Sequence, residues 1–129
     1  MPQSRTWIVS LAKQFKGLVL VLEHRFYGKS LPFGKDSFSL KNMALLNSEQ
    51  ALSDLAYFIQ KINAYKMYHV DNNPWITVGG SYAGALSAWF RYKYPHLAIG
   101  ALSSSGVVNV MQDYYQMDEQ VYISSQISG

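Results

Sequence analysis

Trp75-Ile76-Thr77-Val78-Gly79-Gly80-Ser81-Tyr82-Ala83-Gly84 reads as a strand, a tight turn and the opening of a helix. Trp75 to Val78 is aromatic and β-branched, which suits a buried strand. Two glycines follow, then one serine, then small residues. From Tyr82 to Tyr94 the residues Ala85, Leu86, Trp89, Phe90 and Lys93 recur at helical spacing, and Pro95 stops the pattern. A serine at such a bend is lifted above the sheet edge with its hydroxyl exposed, the layout of a nucleophile elbow. The bend strains the serine backbone. Bulk two residues before it, or two or three after it, would collide with the neighbouring strand and helix. Gly79 fits the first position. Ala83 stands where the G-x-S-x-G pattern has its second glycine, with Gly84 one step later. Ser81 is the candidate nucleophile of an acyl-transfer hydrolase. The backbone N–H of Tyr82 is the candidate oxyanion-hole donor.

Outward from the elbow, helical and strand patterns alternate. Ser4 to Lys16 is amphipathic, with Trp7, Ile8, Leu11, Ala12 and Phe15 on one face and Gly17 as a stop. Leu18 to Leu22 is an unbroken apolar run, as in a strand buried on both faces of a parallel sheet. Lys29 to Leu46 reads as a long polar loop. Asn47 with Gln50 forms a capping-box signature, and the helix behind it carries Ala51, Leu52, Leu55, Ala56, Ile59 and Ile62 towards Lys66. Asp71-Asn72-Asn73-Pro74 is turn chemistry. Beyond the elbow helix, Leu97 to Leu102 predicts another buried strand, ending in Ser103-Ser104-Ser105-Gly106. An amphipathic segment spans about 113–124. The order α-β-α-β-α-β-α predicts an α/β fold with a parallel sheet flanked by helices.

Composition narrows the function classes. At 129 residues the chain is one domain or less. Net charge is +3 without a basic run, so neither nucleic acid nor a membrane surface is implied as partner. There is no cysteine, which excludes a disulfide framework, a cysteine nucleophile and thiolate metal sites. No apolar run reaches the length of a membrane span, and the N-terminus lacks the apolar region of a signal peptide. No histidine or carboxylate cluster has metal-ligand spacing, and the glycines form neither a dinucleotide nor a P-loop pattern, so no cofactor is expected. Both ends look cut.

Four blocks in order carry a more specific signal: Leu22-Glu23-His24-Arg25-Phe26-Tyr27-Gly28-Lys29-Ser30, then Glu49 to Ala56, then Pro74 to Gly84, then Tyr94-Pro95-His96-Leu97. Together they resemble the prolyl carboxypeptidase-like serine peptidases of family S28, most closely the thymus-specific branch. The similarity runs from about residue 5 to residue 122. It implies an α/β-hydrolase fold of which this chain is a central slice. Residues 1–110 would be part of the catalytic domain, and 111–129 the start of a helical lid. The family's triad runs Ser, Asp, His, and only its serine is matched here, by Ser81. The resemblance further implies a peptide substrate cut beside proline from one end, as a carboxypeptidase or dipeptidyl peptidase does. It also implies a lysosomal, vesicular or secreted location and a homodimer of the complete protein.

The remaining candidates read as structural. His24 follows the first predicted strand at the sheet edge of Ser81, yet bonding within the Glu23-His24-Arg25 turn accounts for it. His69 and His96 read as surface or cap residues, His96 at a strand start. Glu23 and Arg25 could pair locally. Asp54 reads as a solvated helix residue or a partner of charges near Lys61. Asp113 and Asp118 fall in the lid segment. An esterase or lipase shares the elbow but does not predict the Glu23 to Gly28 block. A truncated, non-catalytic product is the third reading, and the chain alone is expected to be inactive.

Overall fold

The computed structural model describes residues 7–70 and 72–128. The chain divides into two compact units, residues 1–57 and 58–129.

The first unit opens with helix α1, Trp7–Phe15. The part of the expected helix before residue 7 lies outside the described residues. Its stop differs from the expected one. Lys16, not Gly17, takes the left-handed conformation (φ 54°), and the paired bonds Gly17 N–H to Ala12 O (2.7 Å) and Lys16 N–H to Lys13 O (3.3 Å) close a Schellman motif.

No strand forms over Leu18–Leu22, which corrects the sequence reading. A strand exists only as one member of a pair, because both rows of its backbone groups need partners. Among its described residues the first unit holds no second strand. The expected loop from Lys29 to Leu46 contains a 3-10 turn at Gly34–Phe38 and the short helix α2, Leu40–Met43.

Helix α3, Ser48–Ala64, starts where the capping signature put it. The Asn47 side-chain oxygen accepts the Gln50 N–H at 2.9 Å, and the Asn47 carbonyl accepts the first helical bond from Ala51. The other half of the box is diverted, since the Gln50 side-chain oxygen accepts from Arg25 at 3.2 Å.

Arg25 organises this unit. Its Nε and one terminal nitrogen donate to the two oxygens of Asp54 at 2.6 and 2.7 Å, and its other nitrogen donates to Leu45 O at 3.1 Å. The Asp54 hydrogen bonds push the Arg25 pKa above its ordinary value, against partial burial that lowers it. Asp54 is thus neither merely solvated nor a partner of Lys61-side charges, and Arg25 does not pair with Glu23. A planar fork matched to a carboxylate is the strongest geometry open to a partly buried arginine. Asp54→Ala leaves that fork unpaired. It is expected to lower stability by about 1–3 kcal/mol, read as a drop in melting temperature, with Asp54→Glu recovering part of the loss.

The second unit is a β-α-β unit: β1, Ile76–Gly80; α4, Tyr82–Lys93; β2, Gly100–Ser104. The strands are parallel, with Ile76 opposite Gly100 and Gly80 opposite Ser104. Strand β2 starts three residues later than expected. Leu97 and Ala98 N–H still bond back to the Tyr94 carbonyl, prolonging the exit from α4, and the ladder begins with Ile99 N–H to Trp75 O at 2.9 Å. Helix α4 is the element packed on the sheet among the described residues. Phe90 is fully buried, and Ala85 and Ala98 are nearly so. Thr77 and the buried Ser87 satisfy each other, Ser87 Oγ donating to Thr77 Oγ1 at 2.9 Å. The strands themselves are more exposed than predicted, because one helix covers only one face. Helix α5, Tyr115–Ser128, closes the chain. Tyr114 prepares it: its hydroxyl donates to Asn109 O (2.7 Å) and accepts from Met111 N–H (2.9 Å).

Candidate active site

Ser81 stands between β1 and α4 in an unusual backbone state, φ 55° and ψ −125°. Non-glycine residues rarely hold a positive φ, and each such outlier costs about 1–3 kcal/mol unless its surroundings impose it. Three contacts impose it here. The Ser81 N–H donates to Ser104 O at 2.9 Å, carrying the β1–β2 ladder one step past the strand. The Ser81 carbonyl accepts the first bond of α4 from Ala85 at 3.0 Å. Glycine at 79 and 84 lets the two arms of the bend close. A Cβ on Gly79 would run into the Ala83 carbonyl and lie 2.8 Å from Gly84 N. A Cβ on Gly84 would lie 2.9 Å from Ser104 O and 3.1 Å from the Gly106 Cα.

The departure from the G-x-S-x-G pattern is explained by these approaches. The tight position is the third residue after the serine, where Gly84 stands buried, whereas Ala83 is exposed. The Ser81 side chain makes no capping hydrogen bond to α4, and the residue is exposed at the carboxyl rim of the parallel pair. That is the placement a nucleophilic hydroxyl requires: accessible and not consumed by the fold. Tyr82 is the first residue of α4, so its N–H lies at a helix N-terminus, where backbone donors and the helix dipole favour negative charge.

The histidines fall elsewhere. His96 lies in the turn after α4, before β2, and therefore at the rim opposite Ser81; its ring meets Tyr94 edge-on at 6.2 Å. It does not start a strand. His69 is exposed in a 3-10 turn ahead of β1. His24 Nδ1 bonds the Arg25 carbonyl at 2.7 Å, the local bonding expected of it. The reason for placing His24 at the edge of Ser81 disappears with the strand at Leu18–Leu22.

Glu23 has its own task. One carboxylate oxygen accepts from Lys29 N–H (2.9 Å) and Ser30 Oγ (2.7 Å), closing the turn that contains Gly28 at φ 56°. Those two bonds, the Ser30 hydroxyl first, hold the Glu23 pKa below its ordinary value. Within that turn Phe26 is buried at φ 68°, with its ring edge-on to Phe38 at 6.4 Å. Asp113 precedes α5, Asp118 is in its first turn, and both are exposed. Among the described residues no group of three histidine or carboxylate side chains could hold a metal ion, and no helix is long and apolar enough to cross a membrane.

One contributor was not singled out from sequence. The Ser103-Ser104-Ser105-Gly106 stretch reads in the sequence as a strand end. It supplies the carbonyl that holds the elbow, and the serine run was the one available signal.

A model of the serine carboxypeptidase S28 family matches residues 2–128. The chain is 45% identical over 123 residues to an Arabidopsis thaliana protein named "Probable serine protease EDA2", covering 89% of this chain and 24% of that one. It is 43% identical over 104 residues to the lysosomal Pro-X carboxypeptidase of Homo sapiens, covering 80% and 21%. It is 42% identical over 112 residues to prolyl carboxy peptidase like protein 5 of Caenorhabditis elegans, covering 81% and 22%. The chain thus spans less than a quarter of the length of these curated relatives.

Proposed function

The chain belongs to the serine carboxypeptidase S28 family, and from that premise we propose that it is the nucleophile-bearing part of a serine-type exopeptidase that cuts peptides beside proline. The observation that carries the reading is the exposed Ser81, held at positive φ on the carboxyl rim of the parallel pair. In the complete protein a general base takes the Ser81 proton as Oγ attacks the scissile carbonyl. The Tyr82 N–H helps to hold the oxyanion of the tetrahedral intermediate. The leaving amine takes the proton from the base, and water hydrolyses the acyl-enzyme. The base and its orienting carboxylate come from parts of the protein beyond these 129 residues, as does the second oxyanion donor. No cofactor enters this chemistry.

Cleavage at the carboxyl end and a lysosomal location are favoured by the names of the relatives. Residues 1–110 form part of the catalytic domain in this reading. Helix α5 begins a lid, consistent with its exposed Met117, Val121, Tyr122 and Ile127, and the complete protein is a homodimer.

The test is a fluorophosphonate probe applied to the full-length folded protein, followed by peptide mapping. Label on Ser81 together with turnover of prolyl peptides supports the reading. Folded protein that takes no label sinks it, and hydrolysis confined to p-nitrophenyl esters redirects it to an esterase. The isolated 129-residue chain is expected to show no turnover of a prolyl peptide, and turnover by the purified chain would contradict the division of the triad.

A further inference from the structure

Strand β2 ends at Ser104, and the next residue, Ser105, holds φ 50°. Its position relative to Ser81 is fixed from both sides. On one side, Ser104 O accepts the Ser81 N–H. On the other, Gly106 packs against the start of α4, so closely that a Cβ on it would lie 2.8 Å from Gly84 C and 2.9 Å from Ala85 N. The last registered pair is Gly80 opposite Ser104, so Ser81 and Ser105 are the residues that follow it on the two neighbouring strands, both at the carboxyl rim. Adjacent strands are about 4.8 Å apart, a gap that two side chains on one rim can share when they meet a single ligand. Ser105 is exposed, and among the described residues its hydroxyl has no hydrogen-bond partner. The buried serines differ: Ser37 and Ser87 both spend their hydroxyls on the fold. Two serines in left-handed conformations, neighbours on one rim and both exposed, are a concentration of strain of the kind found at ligand clamps.

We propose that the Ser105 hydroxyl contacts the substrate, hydrogen-bonding the peptide backbone beside the bond that Ser81 attacks. The proposal rests on the reading of Ser81 as nucleophile. It adds a recognition group that positions the peptide and takes no part in bond making or breaking.

The experiment compares the full-length wild type with Ser105→Ala and Ser105→Gly. Alanine removes the hydroxyl and keeps the strained backbone. Glycine removes the hydroxyl and relaxes the backbone. Two rates are read on each protein: kcat/KM for a prolyl peptide, and labelling of Ser81 by a small alkyl fluorophosphonate, which carries no peptide backbone. Both variants are expected to lose about tenfold in kcat/KM, the effect of one hydrogen bond, while labelling stays within about twofold of wild type. Peptide turnover unchanged in both variants, with normal labelling, overturns the Ser105 proposal and leaves Ser81 standing. Labelling that falls together with turnover overturns it as well, since the residue would then be acting through the elbow. A folded wild type that takes no label overturns both readings.

Discussion

Ser81→Ala in the full-length protein is expected to lower kcat for peptide hydrolysis by roughly five orders of magnitude or more, with the folded state intact. The loss is large because no neighbouring hydroxyl can replace the attacking atom at the bend; Ser105, on the same rim, belongs to the other strand. Stability should hardly change, because the Ser81 side chain makes no capping hydrogen bond and is exposed. A useful companion is Ser81→Gly. It is equally inactive, yet glycine adopts φ 55° without the clash of a Cβ, so it should melt above the alanine variant. Activity assays and thermal melts on the pair separate the chemical role of the residue from its conformational cost. Comparable turnover by Ser81→Ala and wild type would remove Ser81 from the mechanism.

Gly79→Ala should have the second largest effect. Its φ is not in the left-handed region, so alanine is opposed by space and not by conformation. The added methyl would meet the Ala83 carbonyl and the Gly84 N–H, backbone groups of the first turn of α4 that cannot rotate away. The helix must therefore move relative to β1. Overpacking of this kind costs about 1–3 kcal/mol. A displacement of about 1 Å at a catalytic group is enough for on the order of a hundredfold loss in rate. Lowered kcat with nearly unchanged KM, together with slower fluorophosphonate labelling, is the expected pattern. Full activity in a Gly79→Ala protein would mean that the strand and helix approach less closely than described.

The elbow could be read from sequence because its constraints are local. Strand, bend and helix lie within about twenty consecutive residues, and Gly79 answers to Ala83 and Gly84, only a few positions away, although Gly84 also answers to Ser104 and Gly106 beyond β2. The start of α3 was legible for the same reason, since Asn47 caps an amide three residues on. Partnerships over long separations were not. Asp54 meets Arg25 across 29 residues, and nothing in the helix around Asp54 marks it as anything but solvated. Leu18–Leu22 has the composition of a buried strand, but composition supplies no partner, and without one the segment stays irregular. The late start of β2 had a third cause. Leu97 and Ala98 are as apolar as strand residues, yet their amides were already committed to the Tyr94 carbonyl. Periodicity reports which side chains are to be buried, and it is silent on which backbone donors are spoken for.

The bond from Ser81 N–H to Ser104 O is drawn wholly from main chain. Any amino acid at 104 offers the same carbonyl, so the address of the Ser81 hydroxyl is insulated from side-chain mutation on the adjoining strand. Such insulation favours divergence: if Ser81 is the nucleophile proposed above, descendants of this scaffold can exchange the groups around it while its hydroxyl stays unmoved.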